Sequence, residues 1–279
     1  MQPADNLLNL VELERSELEA AFEQLGLERF RARQVFRWVY RQGVTSFDAM
    51  TDLPQPLRTT LAVTAAVTTP QVIQRERSVD GTEKFLLELA DGKQIESVFI
   101  PDTPAMTFCV STQVGCAMAC RFCLTGKMGL VRNLTAGEIV GQVRVLAGAL
   151  GMRERRFNIV LMRMGEPLHN YDETMKALRI LNDEHGLAVS PRRVTLSTVG
   201  LLPALERLAG EPLMPNLAIS LHAPSDATRG ERLDERRALQ IGQVGGGHGH
   251  GISLVRNHLP DSRSYPFSNA LAPAAGHVL

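Results

Sequence analysis

The 279 residues, 44% of them apolar and 22% charged, have ordinary globular composition, and their length suits one large domain or a large one with a small neighbour. Thirty basic residues balance thirty acidic ones, so no global field advertises nucleic acid or an acidic membrane, although a local basic face stays open because steering depends on how charge is distributed. The opening MQPADNLLNL has no cationic stretch ahead of an apolar core, and no apolar run approaches the ~20 residues of a membrane span, so a cytoplasmic protein with no membrane partner is expected.

Residues from about 16 to 42 read as helices. Ser16 and Glu19 have the S-x-x-E form of a capping box, followed by apolar positions at Leu18, Ala21, Phe22 and Leu25. Gly26 breaks the pattern, and RFRARQVFRWVYR begins a second run with an apolar side of Val35, Phe36, Val39 and Tyr40. That run holds five arginines and no acid. Arginines with aromatic neighbours suit phosphate contacts and base stacking, so RNA binding is one reading and an ordinary solvated helix face the other. The two prolines of TDLPQPL close this unit. QVIQRERS, EKFLLELA and KQIESVFIP are β-type, with Asp80-Gly81 and Asp91-Gly92 between them, which predicts a small meander of hairpins.

From residue 106 the rhythm changes. Strand candidates MTFCVST, NIVLMRMG, RVTLSTVG and LAISLHA alternate with helical stretches at about 135–150, 172–185 and 201–209. Such alternation predicts an α/β fold with parallel strands and a functional surface at their carboxyl ends; a barrel and an open sheet give the same local pattern. After LHAPSD the periodicity is lost, and GQVGGGHGHG reads as part of a flexible terminus. The expected division is a helical accessory unit over 1–60, a meander over 61–105, an α/β core over 106–228 and an aberrant, disordered tail over 229–279.

Three of the four cysteines, Cys116, Cys120 and Cys123, lie within the eight residues CAMACRFC. Zinc sites usually pair thiols and recruit a distant second pair, and here the one remaining cysteine is Cys109, inside a predicted strand. Three thiolates instead suit three irons of a [4Fe–4S] cluster, leaving one iron open to substrate. Small buried cysteines that merely pack are the alternative.

CAMACRFC has the C-x3-C-x2-C form of radical S-adenosylmethionine (SAM) enzymes. With STQVGCAMACRFC, GLVRNLTAGEIVGQV, MGEPLHNYD, RRVTLSTVG and LAISLHAPSD, the chain from about residue 10 to about 228 resembles the RlmN family of dual-specificity RNA methyltransferases. The resemblance implies a partial (β/α) barrel of radical SAM type, in which a reduced [4Fe–4S] cluster and SAM yield a 5′-deoxyadenosyl radical. It also implies methylation of carbon 2 of adenine in 23S rRNA and tRNA, by a monomer served by an electron donor such as flavodoxin. It makes Cys116, Cys120 and Cys123 the cluster ligands, with Phe122 shielding the cluster or packing into the core. It gives SAM contacts to Gly165, Glu166, Ser197, Ser220, Leu221 and His222. Glu96 is implied as the acceptor of the adenine C2 proton, and Cys109 as the thiol that resolves a methylated partner cysteine through a transient disulfide.

Two features depart from the pattern. Arg163 stands where the family has glycine, so a large cation is expected to obstruct SAM or the cluster. No cysteine follows Cys123, so the methyl-carrying residue is missing; the loss of pattern near residue 228 reads as a truncation or frame change, and turnover is not expected. The competing reading is a non-catalytic iron–sulfur or zinc RNA-binding remnant, with Cys109 as a fourth ligand in the zinc case.

Overall fold

The computed structural model describes residues 7–101 and 105–222. The tail expected over 229–279 lies outside the described residues, as does everything from 223 onward.

The N-terminal unit begins with β1 (Leu8–Asn9), a 3-10 turn at Leu10–Glu12, α1 (Arg15–Gln24) and α2 (Arg29–Tyr40). It ends with α3 (Gln55–Thr64) and β2 (Ala65–Ala66), which pairs in parallel with β1. The capping box falls two residues earlier than the sequence pattern suggests. Glu14 caps α1 and Glu17 closes the box, because Glu19 is buried and held by Arg15, Arg29 and Arg33. The hydrogen bond from Arg33 is the largest influence holding the Glu19 carboxyl below its ordinary range. Helix α2 buries Ala32, Val35, Phe36, Val39 and Tyr40, as its periodicity predicts.

The meander forms where expected. β3 (Gln71–Arg77), β4 (Glu83–Glu88) and β5 (Gln94–Ile100) pair antiparallel through the two Asp-Gly turns. It does not stand apart: β5 pairs antiparallel with β6 (Thr107–Cys109), which begins the parallel strands. Next come β7 (Gln113–Gly115), α4 (Leu124–Lys127) and β8 (Leu130–Asn133). α5 (Ala136–Ala149), β9 (Asn158–Leu161), α6 (Tyr171–Asn182), β10 (Val194–Thr198), α7 (Leu202–Ala209) and β11 (Asn216–Ile219) complete the described order. One seven-stranded sheet runs β11-β10-β9-β6-β5-β4-β3, with β6, β9, β10 and β11 mutually parallel. The α/β class and its parallel strands thus hold. The two-stranded antiparallel ribbon β7-β8 is an addition that the strand pattern does not announce. At the outer edge β3 is exposed throughout, and its charges and an irregularity between Val72 and Gln74 guard against edge pairing.

Helix α5 joins the N-terminal unit to the sheet. Thr135 and Glu138 make its capping box, and the Glu12 carboxylate accepts from the Gly137 amide (2.9 Å) and the Thr135 hydroxyl (2.8 Å). Arg144, buried on α5, donates to the carbonyls of Val39 (3.1 Å) and Thr68 (3.3 Å). Its guanidinium is held down to about 10 by desolvation. Apolar residues from Leu10 to Ile219 consequently pack as one core.

Candidate active site

The carboxyl ends of the parallel strands converge on the cysteine loop. Gly115 sits at φ +77°, and the Cys116 amide donates to the Gly129 carbonyl (2.9 Å), which ties the loop's start to the turn before β8. The Cys123 amide donates to the Cys120 carbonyl (3.1 Å), closing the far side, and Ala119 takes a left-handed φ of 47° between the cysteines. Cys116, Met118, Cys120 and Val199 pack as a group of their own, with Cys123 and Ala117 against it. Desolvation raises the Cys116 thiol, aided by the charges of Glu166 and Cys123. Cys120 is pushed up to about 11 by desolvation and then by its two cysteine neighbours. Three thiols and a carboxylate share this corner, and ionised together they would repel one another unless a cationic group joined them.

Among the described residues no three His, Cys, Asp or Glu side chains draw together tightly enough for a single metal ion. A four-iron cluster spreads its thiolates more widely than one ion does, and a curled loop carrying three mutually interacting thiols fits that donor set. Cys109 lies apart, in β6, and is a free thiol. Burial pushes it up to about 12 despite a hydrogen bond from the Met162 amide, and none of the other cysteines contributes to that shift. The transient disulfide implied for Cys109 is not formed in this structure.

Glu166 is buried at the end of β9. Its carboxylate accepts from the amides of Val199 (2.9 Å) and Leu168 (3.1 Å) and is also hydrogen-bonded by the Thr198 side chain. Desolvation outweighs these bonds and raises its pKa, so an approaching ammonium would be favoured there. Gly165, at φ +103°, is required by close packing: a Cβ would stand 2.7 Å from Cβ of Gln113 and 2.8 Å from its backbone nitrogen. Ser197 and Ser220 meet hydroxyl to hydroxyl at 3.0 Å across the ends of β10 and β11. Beyond them Leu221 packs on the core, and the His222 ring lies 4.6 Å from that of Phe122. Phe122 is exposed, which removes the core-packing account of it.

Arg163 does not turn toward the cysteines. It forms an ion pair with Glu96, which also lies 3.6 Å from Lys84 Nζ. The implied proton acceptor is therefore a partly buried, doubly paired carboxylate. Nε of Arg163 is buried with no hydrogen-bond partner among the described residues, and desolvation lowers the group's pKa. Sequence reasoning missed the residue that ties these ends together. Gln142, buried on α5, accepts from the Ser111 amide and the Ser97 hydroxyl (2.8 Å each) and donates to the Ser111 carbonyl (2.9 Å). Ser111 in turn donates to the Glu96 carbonyl (2.6 Å) and accepts from the Met164 amide (3.1 Å). The sequence signals are a polar residue on the apolar face of a helix and its place in the stretch GLVRNLTAGEIVGQV.

The arginine-rich helix is partly committed elsewhere, since Arg29 and Arg33 pair with Glu19 while Phe30, Arg37 and Arg41 remain exposed.

Comparison with known proteins agrees with this arrangement. Residues 8–67 match the family model for the ribosomal RNA large subunit methyltransferase N-terminal domain, and residues 110–241 match the radical SAM superfamily. A dual-specificity RNA methyltransferase RlmN of Rhodospirillum rubrum is 48% identical over 244 residues, covering 85% of this chain and 57% of that protein. The RlmN of Syntrophus aciditrophicus is 46% identical over 267 residues, covering 95% of this chain and 74% of the relative. The crystal structure of a radical SAM methyltransferase from Sphaerobacter thermophilus superposes with a TM-score of 0.77 at 46% identity, over 81% of this chain and 67% of that one. The chain thus spans between about half and three quarters of the length of these curated relatives. With helical unit, parallel strands and cysteine loop all in their places, the chain belongs to the RlmN family of radical SAM proteins.

Proposed function

We propose that this chain carries the cofactor-binding half of a radical SAM RNA methyltransferase, directed at carbon 2 of adenine in 23S rRNA and tRNA. The observation that carries the reading is the corner where Cys116, Cys120 and Cys123 interact with one another and with buried Glu166. Cys116, Cys120 and Cys123 would hold a [4Fe–4S] cluster, whose chemistry when bound is delivery of one electron to the sulfonium of SAM. Glu166 would take the ammonium of SAM, with Gly165 allowing the backbone to approach. Ser197, Ser220, Leu221 and His222 line the adjoining strand ends and suit the nucleoside part. Exposed Phe122, against His222, forms one wall of the opening. Residues 1–60 would act as an accessory unit for RNA, 61–105 as the linking meander and 106–228 as the catalytic core, in a cytoplasmic monomer reduced by a flavodoxin-like donor.

Two features argue against complete turnover by these 279 residues. Glu96 is ion-paired with Arg163 and lies 3.6 Å from Lys84, so a substrate would have to displace these partners to reach its carboxylate. All four cysteines are already assigned, and none remains to carry a methyl group. After anaerobic loading with iron and sulfide, and with dithionite as the reductant, the chain is expected to cleave SAM to methionine and 5′-deoxyadenosine without forming C2-methyladenine in RNA. Methylated RNA would contradict the assignment of these residues, and absence of SAM cleavage by the loaded protein would contradict the family chemistry proposed for it.

A further inference from the structure

At the amino ends of β9 and β10, on the side of the sheet away from the cysteine loop, lies a cavity of about 250 Å³. Arg153, Arg155, Arg156 and Arg193 line it, with Ser190 at its wall and Phe157 beneath. None of these four arginines forms an ion pair among the described residues. Other arginines, Arg31 and Arg121 among them, also lack one, and what sets these four apart is that they share one hollow. Arg153, Arg155 and Arg156 are exposed, and the one acid among them in sequence, Glu154, is exposed as well and outnumbered.

Four guanidinium groups around one hollow repel one another and raise a local positive potential, although the chain's net charge is zero. Such an arrangement gains from a bound anion, and the planar fork of arginine matches phosphate oxygens two at a time. The volume lies below the ~300–1,000 Å³ of ordinary small-molecule pockets, so it suits a phosphodiester with its waters better than a whole cofactor.

The neighbourhood indicates where that phosphate comes from. A Cβ placed on Gly43 would fall 1.2 Å from Nη1 of Arg153, so this guanidinium lies against the turn just after α2. Exposed Arg37 and Arg41 precede that turn at the end of the arginine-rich helix. Gly186, one residue before the lining of the cavity resumes at Leu187, packs against Phe36 and Tyr40 of the same helix. The cavity therefore continues the basic end of α2 around the underside of the sheet.

We propose that the Arg153, Arg155, Arg156 and Arg193 cavity is a phosphate-binding subsite that grips the RNA backbone at a distance from the reacting adenine. It rests on the reading that the chain binds RNA, and it supplies affinity and orientation without reading sequence.

Fluorescence anisotropy of the 279-residue chain with a labelled RNA hairpin, across a salt series, tests this. Replacing Arg155, Arg156 and Arg193 together by alanine is expected to weaken binding and to flatten the slope of log affinity against log salt by roughly 2 to 3, since each lost phosphate contact removes about 0.7–0.9. The triple lysine replacement is expected to retain the slope. Should the triple alanine variant unfold, the single Arg155→Ala variant decides, with an expected change of roughly 0.7–0.9. RNA binding with an unchanged slope overturns the subsite and leaves the RNA reading standing. No salt-dependent RNA binding by the unmodified chain overturns both. Binding of inorganic phosphate that the alanine variant loses, with the RNA slope unchanged, marks a small-anion pocket only and also overturns the proposal.

Discussion

Replacing Glu96 by alanine is expected to destabilise the fold by roughly 2–4 kcal/mol, because it strands the Arg163 guanidinium in a largely buried place. The side chains of Arg163 and Glu96 keep only 18% and 24% of their exposure, so water cannot fully replace the lost partner. The reverse change is expected to be mild. Arg163→Met removes a cation whose Nε already lacks a partner, while Glu96 keeps Lys84 at 3.6 Å, and a cost of about 1 kcal/mol or less follows. The double variant Glu96→Ala/Arg163→Met is expected to recover most of the loss, giving a coupling on the order of 1–3 kcal/mol in a double-mutant cycle by urea unfolding. A near-neutral Glu96→Ala variant, or additive effects, would show that the pair is not formed in solution.

The second large effect is expected at Gly115. Its φ of +77° already excludes most side chains, and a Cβ there would stand 1.9 Å from the Gly129 carbonyl oxygen. That oxygen is backbone and cannot swing aside, and it accepts the Cys116 amide. Gly115→Ala is therefore expected to cost roughly 3 kcal/mol or more through combined strain and overlap, and to displace the first cysteine of the loop. Thermal unfolding and iron content should fall together. An alanine variant with unchanged stability would mean that the β7-β8 ribbon is free to open at this point.

Much of this architecture is written locally. The Asp-Gly pairs between alternating strands and the strand–helix alternation after residue 106 each depend on neighbours in sequence, and they appear where those patterns place them. What sequence pattern does not carry is the partner of a polar side chain. Glu12 reaches Thr135 and Gly137, and Arg163 reaches Glu96, across separations of 123, 125 and 67 residues. The capping box shifted for the same reason: Glu19 satisfies the S-x-x-E pattern locally, but arginines from two helices bury it as an ion-pair partner. Gln142 lies within the quoted stretch GLVRNLTAGEIVGQV, but nothing there assigns it a role, and its importance arises only where β5, β6 and β9 meet. The cysteine loop was legible because its spacing is itself the chemistry. The consequence of Arg163 was not, since an obstructing cation and a carboxylate partner look alike until the fold sets its direction.

The central claim is that three thiols hold a cluster with an open iron. Anaerobic reconstitution followed by iron and sulfide analysis and electron paramagnetic resonance of the reduced protein tests it most directly, on the unmodified chain and on the Cys109→Ala and Cys116→Ala variants. The account predicts iron and sulfide matching one [4Fe–4S] cluster, retained by Cys109→Ala, lost by Cys116→Ala, and with a spectrum that changes when SAM is added. Loss of metal on replacing Cys109, or a spectrum indifferent to SAM, would contradict it.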